Sequence, residues 1–188
     1  MKIIGITGKS GVGKTTLSNM LSSKLNCKTI DIDKIGHEAI RNSKIINELC
    51  LNFGEDILEK NGQVDRKKLG EIVFANKDKM KILENITWSY MEKRILEKLN
   101  EKQECIILEW ALLPLSPYWN KCDMKILVVA DNKVRKNRIL ERDNITSAYF
   151  DLRDNNSVDY SKFTADIVCD NSDANNLENI IDSICEKI

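Results

Sequence analysis

Residues 8–15 read Gly8-Lys9-Ser10-Gly11-Val12-Gly13-Lys14-Thr15, and this stretch decides the fold. It follows the apolar run 3–6 (Ile-Ile-Gly-Ile) and precedes residues with helical periodicity, so it lies between a strand and a helix. In the pattern G-x-x-x-x-G-K-T, backbone N–H groups surround a β-phosphate, and the helix that follows adds the positive end of its dipole. The sequence therefore predicts that this chain binds a nucleoside triphosphate.

Two side chains of this phosphate-binding loop have expected chemical roles. Lys14 would reach the β- and γ-phosphates, and the hydroxyl of Thr15 would ligate Mg²⁺. Both roles are those of a loop that binds a nucleoside triphosphate with its Mg²⁺.

The composition is typical of one ordinary globular domain. The chain has 188 residues, of which 42% are hydrophobic and 31% charged. Lys+Arg and Asp+Glu each number 29, so no net charge favours nucleic acid or a membrane surface as a partner. No apolar stretch is long enough to span a bilayer, and residues 1–7 read as a core strand and not as a signal peptide. We expect a cytoplasmic protein with neither nucleic acid nor a membrane as a partner.

The six cysteines show no C-x-x-C or metal-type spacing, and several lie in apolar runs. They occupy positions 27, 50, 105, 122, 169 and 185. We expect reduced, partly buried thiols.

Strand-like and helix-like patterns alternate along the chain, which predicts a parallel sheet covered by helices. The expected strands are 2–7, 28–30, 105–108, 124–129 and 167–169. The expected helices are 15–25, 34–41, 43–53, 66–74, 78–100, 133–142 and 177–188. The segment 34–104 is longer than a crossover needs and is predicted to be a helical insertion, whereas 144–162 is predicted to be a loop or a short helix.

Two carboxylates, Asp31 and Asp33, follow the second expected strand. They would stand at the carboxyl edge of the sheet, where an acceptor hydroxyl must meet the γ-phosphate. One could orient or deprotonate the hydroxyl, and the other could hold metal-bound water. The alternative is that Asp33 caps a helix that starts at Lys34.

Seven segments of the chain carry a family pattern: 8–16, 31–38, 53–58, 62–74, 83–87, 138–143 and 165–171. They include Asp31-Ile32-Asp33 and Asp65-Arg66-Lys67-Lys68-Leu69. In this order and spacing they resemble the dephospho-coenzyme A kinase family, most densely up to Thr87.

The resemblance implies an α/β fold of the P-loop kinase type. It implies a doubly wound parallel five-stranded sheet in a single domain 1–188, a helical substrate-binding insertion near 34–104 and a lid near 138–162. The implied reaction is Mg²⁺-dependent transfer of the ATP γ-phosphate to the ribose 3′-hydroxyl of dephospho-coenzyme A. A monomer or weak homo-oligomer is expected.

Matched residue by residue, the resemblance implies Asp33 as general base, Lys14 as phosphate clamp and Arg142 as a catalytic residue of the lid. The residues expected to bind ATP are Gly8, Gly11, Val12, Gly13, Lys14, Thr15 and Thr16. Those expected to bind the acceptor are Asp31, His37, Asp65, Arg66, Arg138 and Arg153. Those expected to hold Mg²⁺ are Thr15 and Glu109.

Some of these residues also have plainer interpretations. Arg138 and Arg142 are spaced to share one helix face, where they could bind phosphates or form a solvated face paired with Glu141 and Asp143. His37, the only histidine, could contact substrate or serve a structural role.

The chain departs from the family pattern at the third strand and in the lid. Where the family has Asp-x-Pro-Leu-Leu-Phe-Glu, residues 109–115 read Glu-Trp-Ala-Leu-Leu-Pro-Leu, and no Gln follows Arg153. Two alternatives therefore stay open: a nucleoside monophosphate or deoxynucleotide kinase, and a nucleotide-binding protein without kinase activity.

Overall fold

A computed structural model of the chain describes residues 1–173 and 177–187 and contains two compact units. The first unit comprises Met1–Asp31 and Glu101–Ile188, and the second comprises Ile32–Asn100. The strands are β1 (Lys2–Thr7), β2 (Lys28–Asp31), β3 (Cys105–Glu109), β4 (Met124–Val129) and β5 (Ile167–Asp170). The helices are α1 (Lys14–Leu25), α2 (Ile32–Ala39), α3 (Ser43–Phe53), α4 (Arg66–Phe74), α5 (Lys77–Leu99), α6 (Asn132–Asp143), α7 (Ser147–Asn155) and α8 (Leu177–Cys185).

The five strands form one parallel sheet in the first unit, in the order β2-β3-β1-β4-β5. After β1 the chain continues to β2, which lies toward one edge of the sheet. It later enters β4, which lies on the other side of β1, toward the opposite edge. The carboxyl end of β1 is therefore the point where the strand order reverses, and parallel α/β sheets bind ligands at such a point. The phosphate-binding loop occupies this position.

The core of the first unit forms because β1 is buried over its last four residues and β4 buries every second side chain. Ile4 and Ile6 of β1 are fully buried, and β4 alternates between buried and half-buried side chains. Leu17 and Leu21 of α1 belong to the same cluster, as do Leu177, Ile181 and Ile184 of α8. Burial of each such side chain contributes about 1.5–3 kcal/mol, so this cluster fixes α1 and the loop before it on the sheet.

A close approach to β1 requires the glycine at position 5. A Cβ on Gly5 would lie 2.7 Å from Sγ of Cys122 and 3.1 Å from Cδ2 of Leu113. These are buried neighbours in the segment between β3 and β4. The absence of a side chain therefore lets this segment pack directly on the central strand.

The second unit is a set of four helices, of which α5 is the longest. Thr87, Met91 and Ile95 form its buried face. Side-chain oxygens of Asn42, Asp65 and Asn76 accept backbone N–H bonds at the starts of α3, α4 and α5, so each of these helices begins at a capping residue.

The predicted α/β fold class is confirmed, and the expected strands agree with the observed ones to within one residue. The segment 144–162 contains α7 and a short 3₁₀ turn, Tyr160–Lys162. Helix α2 starts at Ile32, so Asp33 lies inside its first turn and does not cap a helix that begins at Lys34. The end of the last expected helix, residue 188, lies outside the described residues.

The expectation of six thiols is wrong for one pair, because Cys27 and Cys105 form a disulfide with a Cα–Cα distance of 4.7 Å. Lys28 pairs with Ile106 across β2 and β3, so Cys27, just before β2, lies beside Cys105, the first residue of β3. Cys50, Cys122, Cys169 and Cys185 are free thiols. No helix among the described residues is both long and apolar enough to cross a membrane.

Candidate functional site

The phosphate-binding loop has backbone torsions that require its glycines. The φ angles of Gly8, Gly11 and Gly13 are +142°, +79° and +93°. A Cβ on Gly8 would lie 2.2 Å from the carbonyl oxygen of Val128, and one on Gly13 would lie 2.2 Å from Nδ2 of Asn171. The loop is therefore a closely packed turn that only glycine allows at these positions.

Lys14 closes the loop on itself. Its Nζ donates to the carbonyl oxygens of Gly8 at 3.0 Å and Lys9 at 3.2 Å, and only 9% of the residue is exposed. The ammonium group is therefore held at the first two residues of the loop, in a position to bind an anion there.

Three side chains from outside the loop bind its next three carbonyl groups. Nε of Arg135 donates to Ser10 at 3.0 Å, Nη1 of Arg138 donates to Gly11 at 3.4 Å, and Nδ2 of Asn171 donates to Val12 at 2.8 Å. In a trans peptide the N–H points away from the C=O. The amides of residues 11–13 therefore point to the opposite side of the loop, and such a row of N–H groups forms an anion-binding concavity.

Thr15 and Glu109 form an oxygen-rich pair beside the loop. The Thr15 hydroxyl donates to Oε1 of Glu109 at 2.5 Å, and Glu109 is 4% exposed at the end of β3. The other carboxylate oxygen, Oε2, is buried and has no hydrogen-bond partner among the described residues. A buried oxygen without a donor is costly, and a hydrated cation would satisfy it.

This donor set fits Mg²⁺ in particular. The described residues contain no group of three or more His, Cys, Asp or Glu side chains that could hold a metal ion. Mg²⁺ does not need one, because it usually keeps several waters and binds through one or two protein oxygens and the substrate phosphates.

The carboxylates of Asp31 and Asp33 belong to different units. Asp31 is the last residue of β2 and pairs in register with Glu109 of β3, so both lie at the carboxyl edge of the sheet. Asp33 belongs to the second unit, where it is an exposed residue in the first turn of α2.

Three predicted acceptor residues lie near one another in the second unit. His37 Nε2 and Arg66 Nη2 are 2.6 Å apart, and Oδ1 of Asp65 caps α4 through the N–H groups of Lys67 and Lys68. A pocket of about 390 Å³ is lined by nine residues, among them Arg41, Asp65 and Arg66.

The predicted lid arginines divide into two groups. Arg138 is half-buried and also donates to the carbonyl oxygen of Asn171 at 3.1 Å. Arg142 is mostly exposed and forms two bonds to Asp143, at 2.6 and 3.0 Å. Arg153 lies 3.6 Å from the same carboxylate. The structure thus places Arg138 on the loop, and places Arg142 and Arg153 beside Asp143.

Sequence reasoning missed three residues around the loop: Arg135, Asp154 and Asn171. Arg135 is 4% exposed and binds Asp154, which also lies 3.2 Å from Nζ of Lys9. Burial raises the pKa of Asp154, but hydrogen bonds and charge from Arg135 and Lys9 outweigh that effect and hold the pKa below its ordinary value. The one available signal was the spacing of Arg135 and Arg138, which puts both on one helix face.

Comparison with known proteins identifies the family. The dephospho-CoA kinase family model matches residues 2–176. A dephospho-CoA kinase from Fusobacterium nucleatum is 36% identical over 194 residues, covering 99% of this chain and 98% of that protein. Another from Oceanobacillus iheyensis is 32% identical over 177 residues, covering 90% and 88%.

Solved structures agree with this fold. A Thermus thermophilus protein superposes with a TM-score of 0.81 at 24% identity, covering 100% of this chain and 97% of that one, which shows the fold alone. A dephospho-CoA kinase from Campylobacter jejuni gives a TM-score of 0.60 at 25% identity, covering 99% and 96%. Because the family match spans nearly the whole chain, this protein belongs to the dephospho-CoA kinases, a family of phosphotransferases that use ATP.

Proposed function

We propose that this chain transfers the γ-phosphoryl group of ATP to the ribose 3′-hydroxyl of dephospho-CoA, giving CoA and ADP. Family membership supports the substrate, and the phosphate-binding loop supports the nucleotide. The observation that carries the proposal is the buried Oε2 of Glu109 beside Thr15, because a phosphotransferase needs a magnesium site next to its loop.

Binding of the triphosphate uses the N–H groups of residues 11–13 and the ammonium group of Lys14. When the γ-phosphate enters, Lys14 exchanges the carbonyl oxygens of Gly8 and Lys9 for phosphate oxygens. Because this cation and the amides are already in place, little reorganisation is needed when charge shifts during transfer.

Thr15 would supply a hydroxyl ligand for Mg²⁺, and the buried Oε2 of Glu109 would accept a hydrogen bond from the ion's hydration shell. When bound, the ion neutralises charge on the β- and γ-phosphate oxygens. Asp31, which neighbours Glu109 across β2 and β3, contributes a second carboxylate at the same edge.

Asp33 takes the proton of the acceptor hydroxyl. A bond forms between the ribose O3′ and the γ-phosphorus, the bond from that phosphorus to the β–γ bridging oxygen breaks, and ADP leaves with the electron pair. Asp33 suits this role because it is an exposed carboxylate two residues beyond the end of β2.

The second unit supplies residues that are proposed to bind the acceptor. His37, Asp65 and Arg66 are proposed to line its site, since they cluster at one end of α4. Arg142 and Arg153 of 138–162 are proposed to bind the transferring phosphate, and Arg138 of α6, which donates to the carbonyl oxygen of Gly11, is proposed to bind the acceptor.

The test is a coupled assay of ADP release with ATP, Mg²⁺ and dephospho-CoA, with CoA identified by mass spectrometry. Acceptor-dependent ADP release with CoA formed is the expected result. ADP release only with nucleoside monophosphates or deoxynucleotides would show that one of these, and not dephospho-CoA, is the acceptor. Tight ATP binding with no acceptor-dependent release would contradict kinase activity.

A further inference from the structure

Arg135 of α6 is a buried cation whose three guanidinium nitrogens all have partners. Nε donates to the carbonyl oxygen of Ser10 at 3.0 Å, Nη1 to Oδ1 of Asn132 at 3.3 Å, and Nη2 to Oδ1 of Asp154. The residue is only 4% exposed. A buried guanidinium is costly unless it is paired, so Asp154 is what allows this side chain to stay beneath the loop.

The backbone around Arg135 also touches the loop. A Cβ on Gly11 would lie 2.8 Å from the carbonyl oxygen of Arg135 itself, so the loop packs directly on this turn of α6. Asp154 binds the loop a second time through Lys9, at 3.2 Å. Asp154 thus binds Lys9 directly and binds Arg135, which donates to Ser10. It is therefore connected to the residues on both sides of the 9–10 peptide bond.

Arg135 is not placed to bind phosphate directly. Its nitrogens are already engaged, and its Cζ lies 5.8 Å from the centre of the Phe150 ring. Its effect on a nucleotide would pass through the Ser10 carbonyl oxygen, which it keeps on the far side of the loop from the Gly11 N–H.

We propose that Arg135 and Asp154 form a positioning pair that sets the orientation of the Ser10–Gly11 peptide in the phosphate-binding loop. This inference rests on the proposed function, because it assumes that the loop holds a triphosphate. Without the Arg135 donor, the Ser10 carbonyl can turn toward the phosphates and repel them, so nucleotide affinity falls.

The matched control is the neighbouring ion pair between the same two helices. Lys136 of α6 lies 2.8 Å from Asp151 of α7, and its Nζ lies 5.3 Å from the Phe150 ring centre. Arg135 and Lys136 therefore each form an ion pair with an aspartate of α7 and each lie over the Phe150 ring. Of the two, only Arg135 also donates to the phosphate-binding loop. Replacing Lys136 therefore measures how far weaker packing between α6 and α7 changes ADP affinity by itself.

The experiment measures ADP–Mg²⁺ affinity by calorimetry for Arg135→Met, Asp154→Asn, the double variant and Lys136→Met. Each variant's fold is checked by circular dichroism and thermal melting. Loss of a charge-assisted bond predicts roughly 10-fold weaker ADP binding for Arg135→Met and an unchanged affinity for Lys136→Met. The double variant, which removes the buried guanidinium and its half-buried partner and keeps the volume, is expected to fold and to match Arg135→Met in affinity.

Kinetics provide a second readout. The KM for ATP is expected to rise in Arg135→Met while the KM for dephospho-CoA stays the same, a split that general loosening would not produce. Equal loss in Lys136→Met, or unchanged ADP affinity in a folded Arg135→Met or double variant, overturns the positioning role and leaves the phosphotransfer proposal intact. Failure of the unmodified chain to bind ADP overturns both.

Discussion

The Thr15 hydroxyl donates to Oε1 of Glu109 at 2.5 Å, although the two residues lie 94 positions apart. Strand register explains this contact, because β1 pairs with β3 so that Ile6 is opposite Glu109. The loop follows β1 directly, and the register between β1 and β3 places the Glu109 carboxylate beside it. The hydrogen bond uses one oxygen of Glu109 and leaves Oε2 buried next to the loop.

The first prediction concerns Glu109→Gln. The magnesium concentration for half-maximal activity is expected to rise about 10-fold or more, because the group that orients the metal-bound water loses its charge. Steady-state kinetics across a magnesium titration measures this. Glu104→Gln, an exposed carboxylate just before β3, is the control and should leave the titration unchanged. An unchanged curve for Glu109→Gln would remove this residue from the metal site.

The second prediction separates Asp33 from nucleotide binding. Asp33→Asn is expected to lower kcat by about 10²–10⁴-fold, the usual contribution of a general base. The Kd for a non-hydrolysable ATP analogue should not change. Glu38→Gln, on the same helix and paired with Arg94 at 3.7 Å, is the control. If Asp33→Asn turns over at the rate of the unmodified chain, Asp33 is not the general base.

The third prediction is a stability change at Gly5. Gly5→Ala is expected to lower the free energy of unfolding by about 1–3 kcal/mol, because its Cβ would overlap Sγ of Cys122. Gly36→Ala is the control, since its Cβ would make only ordinary contacts with Met91, at 3.6 Å and beyond. Urea denaturation measures both. If the two variants are equally stable, the segment after β3 moves to make room for the new Cβ at little cost in free energy.

The fourth prediction concerns the disulfide. Reduction of Cys27–Cys105 is expected to lower the free energy of unfolding by roughly 2–4 kcal/mol, because the bond closes a long loop in the unfolded chain. Melting with and without reductant measures this, and Cys27→Ser with Cys105→Ser should be insensitive to reductant.

Thiol labelling provides the control for that experiment. Burial raises the pKa of Cys122 to about 12 and that of Cys169 to about 11, so both should alkylate slowly in the folded protein. Rapid labelling of Cys27 and Cys105 without reductant would contradict the bond.

The fifth prediction is the acid dependence of stability at Asp154. Its folded-state pKa lies below the ordinary value of 3.8, so its contribution is present above the unfolded-state pKa and is lost as pH falls through the folded-state pKa. Asp154→Asn should therefore flatten the acid limb of the unfolding free energy against pH. The flattening will be partial, because hydrogen bonds from Ser161 and Ser172 also lower the pKa values of Asp159 and Asp170. An identical acid limb in Asp154→Asn would contradict this contribution.

Most of the fold could be predicted from local patterns. The apolar runs of β1 and β4 and the periodicity of α3 and α4 gave the right elements with nearly the right ends. Helix α2 was harder, because Ile32 is at once the residue after β2 and the first buried residue of the helix. No pattern of two or 3.6 residues separates those two possibilities.

From the residues alone the site could be predicted where they are adjacent in the chain, whereas the pairing of Thr15 with Glu109 followed from the family resemblance. The phosphate-binding loop is a continuous segment, so its pattern was sufficient. The contacts of Arg135, Asp154 and Asn171 with the loop join residues more than 120 positions apart and depend on how α6, α7 and β5 pack. The Cys27–Cys105 bond was missed for the same reason, because only strand pairing brings the two residues together.

The position of that disulfide has a practical consequence for proteolysis. Cys27 precedes and Cys105 follows the whole of the second unit, Ile32–Asn100. A protease that cuts once anywhere in 32–100 therefore yields two fragments that migrate together on a non-reducing gel and separate only after a reductant is added.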